Sequence, residues 1–224
     1  MTEKIKVMIA DDFSLLLEDM VEIISLQSDM EVVGAATNGK EIIELAQETS
    51  FDIILMDIEM DSINDGIEAT RQIREQNESA KIIFLTAHGT KGVIITAMAT
   101  GAVDYIVKGI PEAEILQHIR SAYEGKPLME SKIQDIIMQE YKRLQQSEKS
   151  LLFFIHNLSD LTTTERKIIQ LLLQGMKVRE IATARSVEIV TVKTQISGIL
   201  KKFGETRTKA IIKKIRDLNI THLF

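Results

Sequence analysis

One pattern repeats five times between residues 5 and 123: a short run rich in Ile, Val or Leu, then a longer stretch whose apolar residues recur at spacings of three and four. The runs are residues 5–10, 31–36, 53–56, 81–86 and 104–107, and the stretches after them are 15–26, 40–47, 67–75, 92–100 and 112–123. This alternation leaves little choice of architecture. Unbroken apolar runs suit strands covered on both faces, and a helix-length crossover after each strand suits parallel pairing. The spacing predicts an α/β domain of the doubly wound (βα)5 type over residues 1–125. Polar residues just after the strands then gather along one edge of the sheet, where chemistry is expected.

After Pro127 the pattern changes. Ile133, Ile136, Ile137, Tyr141 and Leu144 form a helical stripe among Gln, Glu, Lys and Arg. Residues 126–158 therefore read as a linker with an amphipathic helix, packed on its own domain or turned to a partner. From Leu161 onward only four short helical segments appear, so residues 159–224 read as a second, smaller all-α domain. The net charge of −6 divides unevenly, as −14 over residues 1–125, +1 over 126–158 and +7 over 159–224. An acidic module can hold a hard cation and a basic one can approach a polyanion, so the division implies two tasks. The chain has no cysteine, hence no disulfide framework and no thiolate metal site. Neither a signal-peptide core nor a run of about 20 apolar residues is present, and the expectation is a cytoplasmic protein with no membrane partner.

The residues that follow the strands carry the chemistry. Asp11 and Asp12 close the first strand, Asp57 closes the third, Thr86 ends the fourth and Lys108 follows the fifth. Doubly wound topology sets three carboxylates in one cleft with a hydroxyl and an ammonium nearby. Crowded carboxylates repel one another, which proton uptake or a divalent cation relieves, and oxygen ligands with open water positions favour Mg²⁺. A carboxylate so placed can attack phosphorus to give an aspartyl phosphate. Taken singly, each of these residues is more often an ordinary turn, cap, solvated strand-end or strand residue, and only the set spaced over five βα units is specific. A Mg²⁺ phosphohydrolase with Asp57 as nucleophile is the competing enzymatic reading. His88, His118, His156 and His222 have no metal-like spacing, and Met56, Met60 and Met98 read as core filling.

In the basic module, Thr162 and Glu165 form the pattern of a capped helix start, with a helix expected to Gln174 and a stop at Gly175. Residues 178–184 then predict a short helix and residues 189–203 a longer one. Short helix, tight turn and longer helix is the arrangement that sets a second helix in the major groove of DNA. Lys193, Thr194 and Ser197 fall near one face of it, and Lys201 and Lys202 lie further along where phosphate contact is expected. A helical tail that binds protein or RNA is the alternative.

At these residues the chain resembles a known family along its whole length. Val7-Met-Ile-Ala-Asp-Asp12, Leu55-Met-Asp-Ile-Glu-Met60 with Asp65-Gly-Ile-Glu-Ala-Thr70, Phe84-Leu-Thr-Ala87 and Asp104-Tyr-Ile-Val-Lys108 resemble the flavodoxin-like receiver domain of two-component response regulators. Leu161-Thr-Thr-Thr-Glu-Arg166, Gln174-Gly-Met-Lys-Val-Arg-Glu-Ile-Ala182, Thr191-Val-Lys193, Ile199-Leu-Lys-Lys-Phe-Gly204 and Arg207-Thr-Lys-Ala210 resemble the LuxR-type helix-turn-helix domain. The pair defines the NarL/FixJ family.

The resemblance implies phosphoryl transfer from a sensor histidine kinase to Asp57. Mg²⁺ would be held by Asp12, Asp57 and the backbone carbonyl of Glu59, with Asp11 assisting through water. The phosphoryl-contact and switch set would be Thr86, Ala87, Tyr105 and Lys108, with Tyr105 changing rotamer as Thr86 moves. The recognition helix would present Thr191, Lys193, Thr194, Ser197, Lys201 and Lys202 to double-stranded promoter DNA. The last helix, residues 208–218, would carry dimer contacts. The expected product is a transcription regulator rather than an enzyme, whose unphosphorylated receiver covers the recognition helix and whose phosphorylated form pairs as a homodimer. Three features depart from the family pattern: Asp61-Ser-Ile-Asn-Asp65-Gly66 lacks the usual proline, Gly109 follows Lys108, and Val187-Glu-Ile-Val190 replaces a polar start to the recognition helix.

Overall fold

The computed structural model describes residues 3–224, which divide into two compact units, one ending at Tyr141 and the other starting at Lys142. In the first, β1 (Ile5–Ala10), β2 (Met30–Ala36), β3 (Ile53–Met56), β4 (Lys81–Thr86) and β5 (Asp104–Val107) form one parallel sheet in the order β2-β1-β3-β4-β5. The expected (βα)5 fold is present, with β2 opening one residue earlier than expected because Met30 pairs with Ile5.

Strand periodicity builds two cores from one sheet. Val7, Ile9, Ile53, Leu55, Ile83, Leu85 and Ile106 pack beneath Leu17, Met20 and Ile24 of α1 (Ser14–Ser25) and Ile115, Leu116 and Ile119 of α5 (Glu112–Tyr123). The alternate residues Met8, Ala10, Ile54, Met56, Ile82, Phe84 and Tyr105 face the other side. There they meet Ile42 of α2 (Gly39–Glu48), Ile67 and Ile73 of α3 (Asp65–Gln76) and Ile94 of α4 (Lys91–Met98). Each such Ile or Leu taken from water contributes roughly 1.5–3 kcal/mol, which explains why the runs lack the polar alternation of a one-sided sheet. The chain leaves β1 toward β2 and returns to β3 on the opposite side, so the sheet has its topological switch between β1 and β3, where α/β sheets bind ligands.

The stripe read in the linker belongs to α6 (Ser131–Ser159), a helix of 29 residues. Ile133 near its start is buried in the core of the sheet unit, whereas Phe154 and Leu158 near its end are buried in the core of the second. That second unit holds α7 (Thr163–Leu173), α8 (Val178–Ala184), α9 (Ile189–Lys202) and α10 (Thr208–Asp217). Ile168, Ile181, Val192, Ile199, Ile211 and Ile215 interlock with Phe203, whose ring centroid lies 4.8 Å from that of Phe154. The expected capping box is formed: Glu165 N donates to Thr162 Oγ1 at 3.3 Å and Thr162 N to Glu165 Oε2 at 2.8 Å. Gly175 ends that helical segment at φ 86°, which a residue with a side chain rarely adopts. Among the described residues no helix is long and apolar enough to cross a membrane.

Candidate functional site

The parallel ladders run one residue beyond the strands and so fix the residues of interest. Asp57 N donates to Ala10 O at 2.8 Å, Asp11 N to Ala36 O at 3.1 Å and Lys108 N to Thr86 O at 2.8 Å. Carboxylate oxygens of Asp11, Asp12 and Asp57 consequently lie within 4.8 Å of one another, the first and last buried and Asp12 exposed. Lys108 Nζ closes the group, donating to Asp11 Oδ2 at 2.7 Å and also to Asp57 Oδ2. The other oxygen of each buried carboxylate accepts a backbone N–H, Asp11 Oδ1 from Phe13 at 3.0 Å and Asp57 Oδ1 from Ile58 at 2.6 Å.

Burial pushes the Asp11 carboxyl above its ordinary value, against the opposing pull of Lys108 and with a smaller push from Asp57. Burial also works against the Lys108 ammonium, yet its bonds to Asp11 and Asp57 prevail and hold its pKa above the usual lysine value. One ammonium cannot neutralise three carboxylates. Excess negative charge on oxygen ligands alone, with one carboxylate open to water, fits a hard divalent cation such as Mg²⁺.

β4 and β5 supply the far wall. Thr86 is fully buried and its Oγ1 accepts from His88 N at 3.4 Å. Tyr105, also buried, donates its hydroxyl to His88 O at 2.6 Å. Burial, and then the charge of Asp57, push this phenol up to about 12. The His88 ring in turn meets the Glu59 carboxylate, and both line a cleft together with Asp12, Asp57, Met60 and Ala87. His88 therefore touches Thr86, Tyr105 and Glu59 at once, a role its sequence position could not signal. Its only hint was its place two residues after Thr86.

The loop without proline closes on itself, Met60 N and Asp65 N both donating to Ser62 O, at 3.3 and 3.2 Å. Gly66, in the first turn of α3, explains how closely that helix approaches: an added Cβ would lie 1.7 Å from the Asp57 carbonyl oxygen. Asp65 beside it accepts Gly39 N at 2.8 Å and so ties α3 to the start of α2.

In the second unit, α9 buries Val192, Ile196 and Ile199 and exposes Thr191, Lys193, Thr194, Ser197 and Lys201. Lys202 is differently engaged: its Nζ donates to Glu165 Oε2 at 2.7 Å and to Asp160 O at 2.8 Å, fastening the end of α9 to the start of α7. Glu165, although burial opposes it, is held below its ordinary carboxyl range by Lys202 and Thr162. Arg185 Nη1 donates to Gln195 Oε1 at 2.7 Å and braces α9 from the turn, where Ser186 takes φ 51°.

Comparison with known proteins matches both units. Residues 7–120 match the family model of the response regulator receiver domain, and residues 159–214 that of bacterial regulatory proteins of the luxR family. The chain is 33% identical over 209 residues to the response regulator protein VraR of Staphylococcus saprophyticus, covering 93% of this chain and 95% of that protein. It is 35% identical over 209 residues to the transcriptional regulatory protein LiaR of Bacillus subtilis, with the same coverage of 93% and 95%. Among solved structures, the RcsB response regulator of Salmonella typhimurium shares the fold, with TM-score 0.56 and 19% identity over 96% of this chain and 99% of that one.

Proposed function

Because the chain belongs to the response regulators of NarL/FixJ type, which join a receiver to a LuxR-type helix-turn-helix domain, we propose that a phosphoryl group on Asp57 controls how the second domain engages promoter DNA. One observation carries this reading: Asp11, Asp12 and Asp57 converge on one another while Lys108 bonds to both buried members.

The phosphodonor is a sensor histidine kinase. An Asp57 carboxylate oxygen forms the new P–O bond as the P–N bond to the kinase histidine breaks, and the departing imidazole takes up a proton. Asp12, Asp57 and the Glu59 carbonyl would hold Mg²⁺, with Asp11 assisting through water; the ion supplies neutralisation of charge on the transferring oxygens. Lys108 provides the remaining positive charge and is already drawn to Asp57. After transfer the added oxygens are acceptors for Lys108 and for the Thr86 hydroxyl, which now sits under the His88 N–H. A Thr86 that turns toward them leaves His88, and His88 is where Tyr105 is anchored, so the charge at Asp57 reaches the α4–β5 surface through hydrogen bonds. That surface then pairs with a second copy, and the dimer sets two α9 helices on the half-sites of a promoter in the cytoplasm.

The test is treatment of the full chain with acetyl phosphate and Mg²⁺, followed by mass spectrometry, sedimentation and retention of duplex DNA in one sample. One hydroxylamine-labile phosphoryl group on Asp57, a shift toward dimer and tighter DNA retention are expected, all lost in Asp57→Ala. Continuous phosphate release with no retained group, or retention of DNA that ignores the phosphodonor, overturns the reading.

A further inference from the structure

α9 begins in a way that serves neither a helix cap nor a core. Glu188 precedes it without any side-chain cap bond, and its first two residues are Ile189 and Val190. Ser, Thr, Asp or Asn at such a start would satisfy free N–H groups. Instead Val190 is 72% exposed and Ile189 39% exposed. At about 100° per residue, Val190, Thr194, Ser197 and Lys201 fall within roughly 60° of one another, so Val190 heads the outward stripe that the second domain presents. Of the polar side chains nearby, Thr194 Oγ1 donates to Val190 O at 3.0 Å and Gln195 Oε1 accepts from Arg185, whereas Thr191 next to Val190 is exposed. The head of the helix thus offers hydrocarbon outward, with Lys193 the first cation along it.

The N-terminal residues of a recognition helix are those that meet base edges, and the C5 methyl of thymine is the apolar group a base pair shows in the major groove. A cytosine or guanine edge at the same place would lose water without gaining a hydrogen bond. Resting on the DNA-binding reading above, we infer that Val190, flanked by Ile189, packs on a thymine methyl, so that each half-site carries a T·A pair where the head of α9 enters the groove.

The test starts with selection of bound duplexes from a randomised pool by the full chain. Each thymine of the selected half-site is then replaced singly by deoxyuridine, which removes only the methyl, and affinity is measured at fixed salt for the natural chain and for Val190→Ala. The substitution is at an exposed site and replaces Val by a better helix former, so the fold is retained. One thymine per half-site is expected to lose about fourfold in affinity with the natural chain, the worth of one buried methyl, and nothing with Val190→Ala. Tolerance of deoxyuridine at every position overturns the methyl contact alone, as does unchanged sensitivity in Val190→Ala. Selection of no duplex at all overturns the DNA-binding reading and this contact with it.

Discussion

At the residue scale the acidic site is a contest between like charges that Lys108 partly resolves. Its ammonium occupies one oxygen of Asp11 and one of Asp57, the same atoms a cation would seek. Lys108→Ala is therefore expected to tighten Mg²⁺ binding several-fold in calorimetric titration, because a competing positive charge within contact distance is gone. The same variant is expected to lose the phosphodonor-dependent dimerisation proposed above, since the added oxygens would lack their cationic partner. Weaker Mg²⁺ binding in Lys108→Ala would contradict this account. Asp11, Asp12, Asp57, Thr86 and Lys108 were legible in the sequence because each directly follows or ends an apolar run. His88 was not, since its contacts to Thr86, Tyr105 and Glu59 exist only once the loops after β3 and β4 lie side by side.

At the scale of elements, two junctions set the receiver's behaviour. The start of α3 presses so closely on β3 that Gly66 has no room for a methyl group. Gly66→Ala is expected to cost about 3 kcal/mol in urea unfolding, as overpacking against backbone does, and to slow phosphorylation of Asp57 by acetyl phosphate at least tenfold. A variant as stable and as reactive as the natural chain would show that the helix start moves freely. The second junction joins β5 to α5, where His118 Nδ1 lies 2.6 Å from the fully buried Asp104 Oδ2. The bond to Asp104 holds the imidazole above its ordinary pKa against burial, aided by the charges of Asp104, Glu130 and Glu114. A histidine whose folded pKa is raised stabilises fully below its unfolded value of about 6.5 and loses that contribution as pH rises through the folded value. The stability gap between the natural chain and His118→Gln is thus expected to be widest in mild acid and to narrow as pH rises, read from urea midpoints of both proteins. A gap that widens toward alkaline pH would reverse the sign of this linkage.

For the whole molecule, the division of charge assigns an acidic pocket to one unit and a basic helix face to the other. Lys193 and Lys201 are exposed on α9, so replacing both by Ala is expected to lower the slope of log affinity against log salt by about 2, roughly one per phosphate contact. An unchanged slope would move the electrostatic contact elsewhere, whereas Lys202, bonded to Glu165 and Asp160, is expected to contribute less. By itself the sequence determined the order and type of elements, the acidic edge and the capped helix-turn-helix, because periodicity, caps and residues at strand ends are local properties of a chain. Only the tertiary structure decided that α6 buries Ile133 in one core and Phe154 in another, and that His88 anchors Tyr105. It alone turned Lys202 inward and left Val190 in water. Each of these depends on which atoms become neighbours across long stretches of chain, and burial and hydrogen bonding are energies of neighbours rather than of residue types.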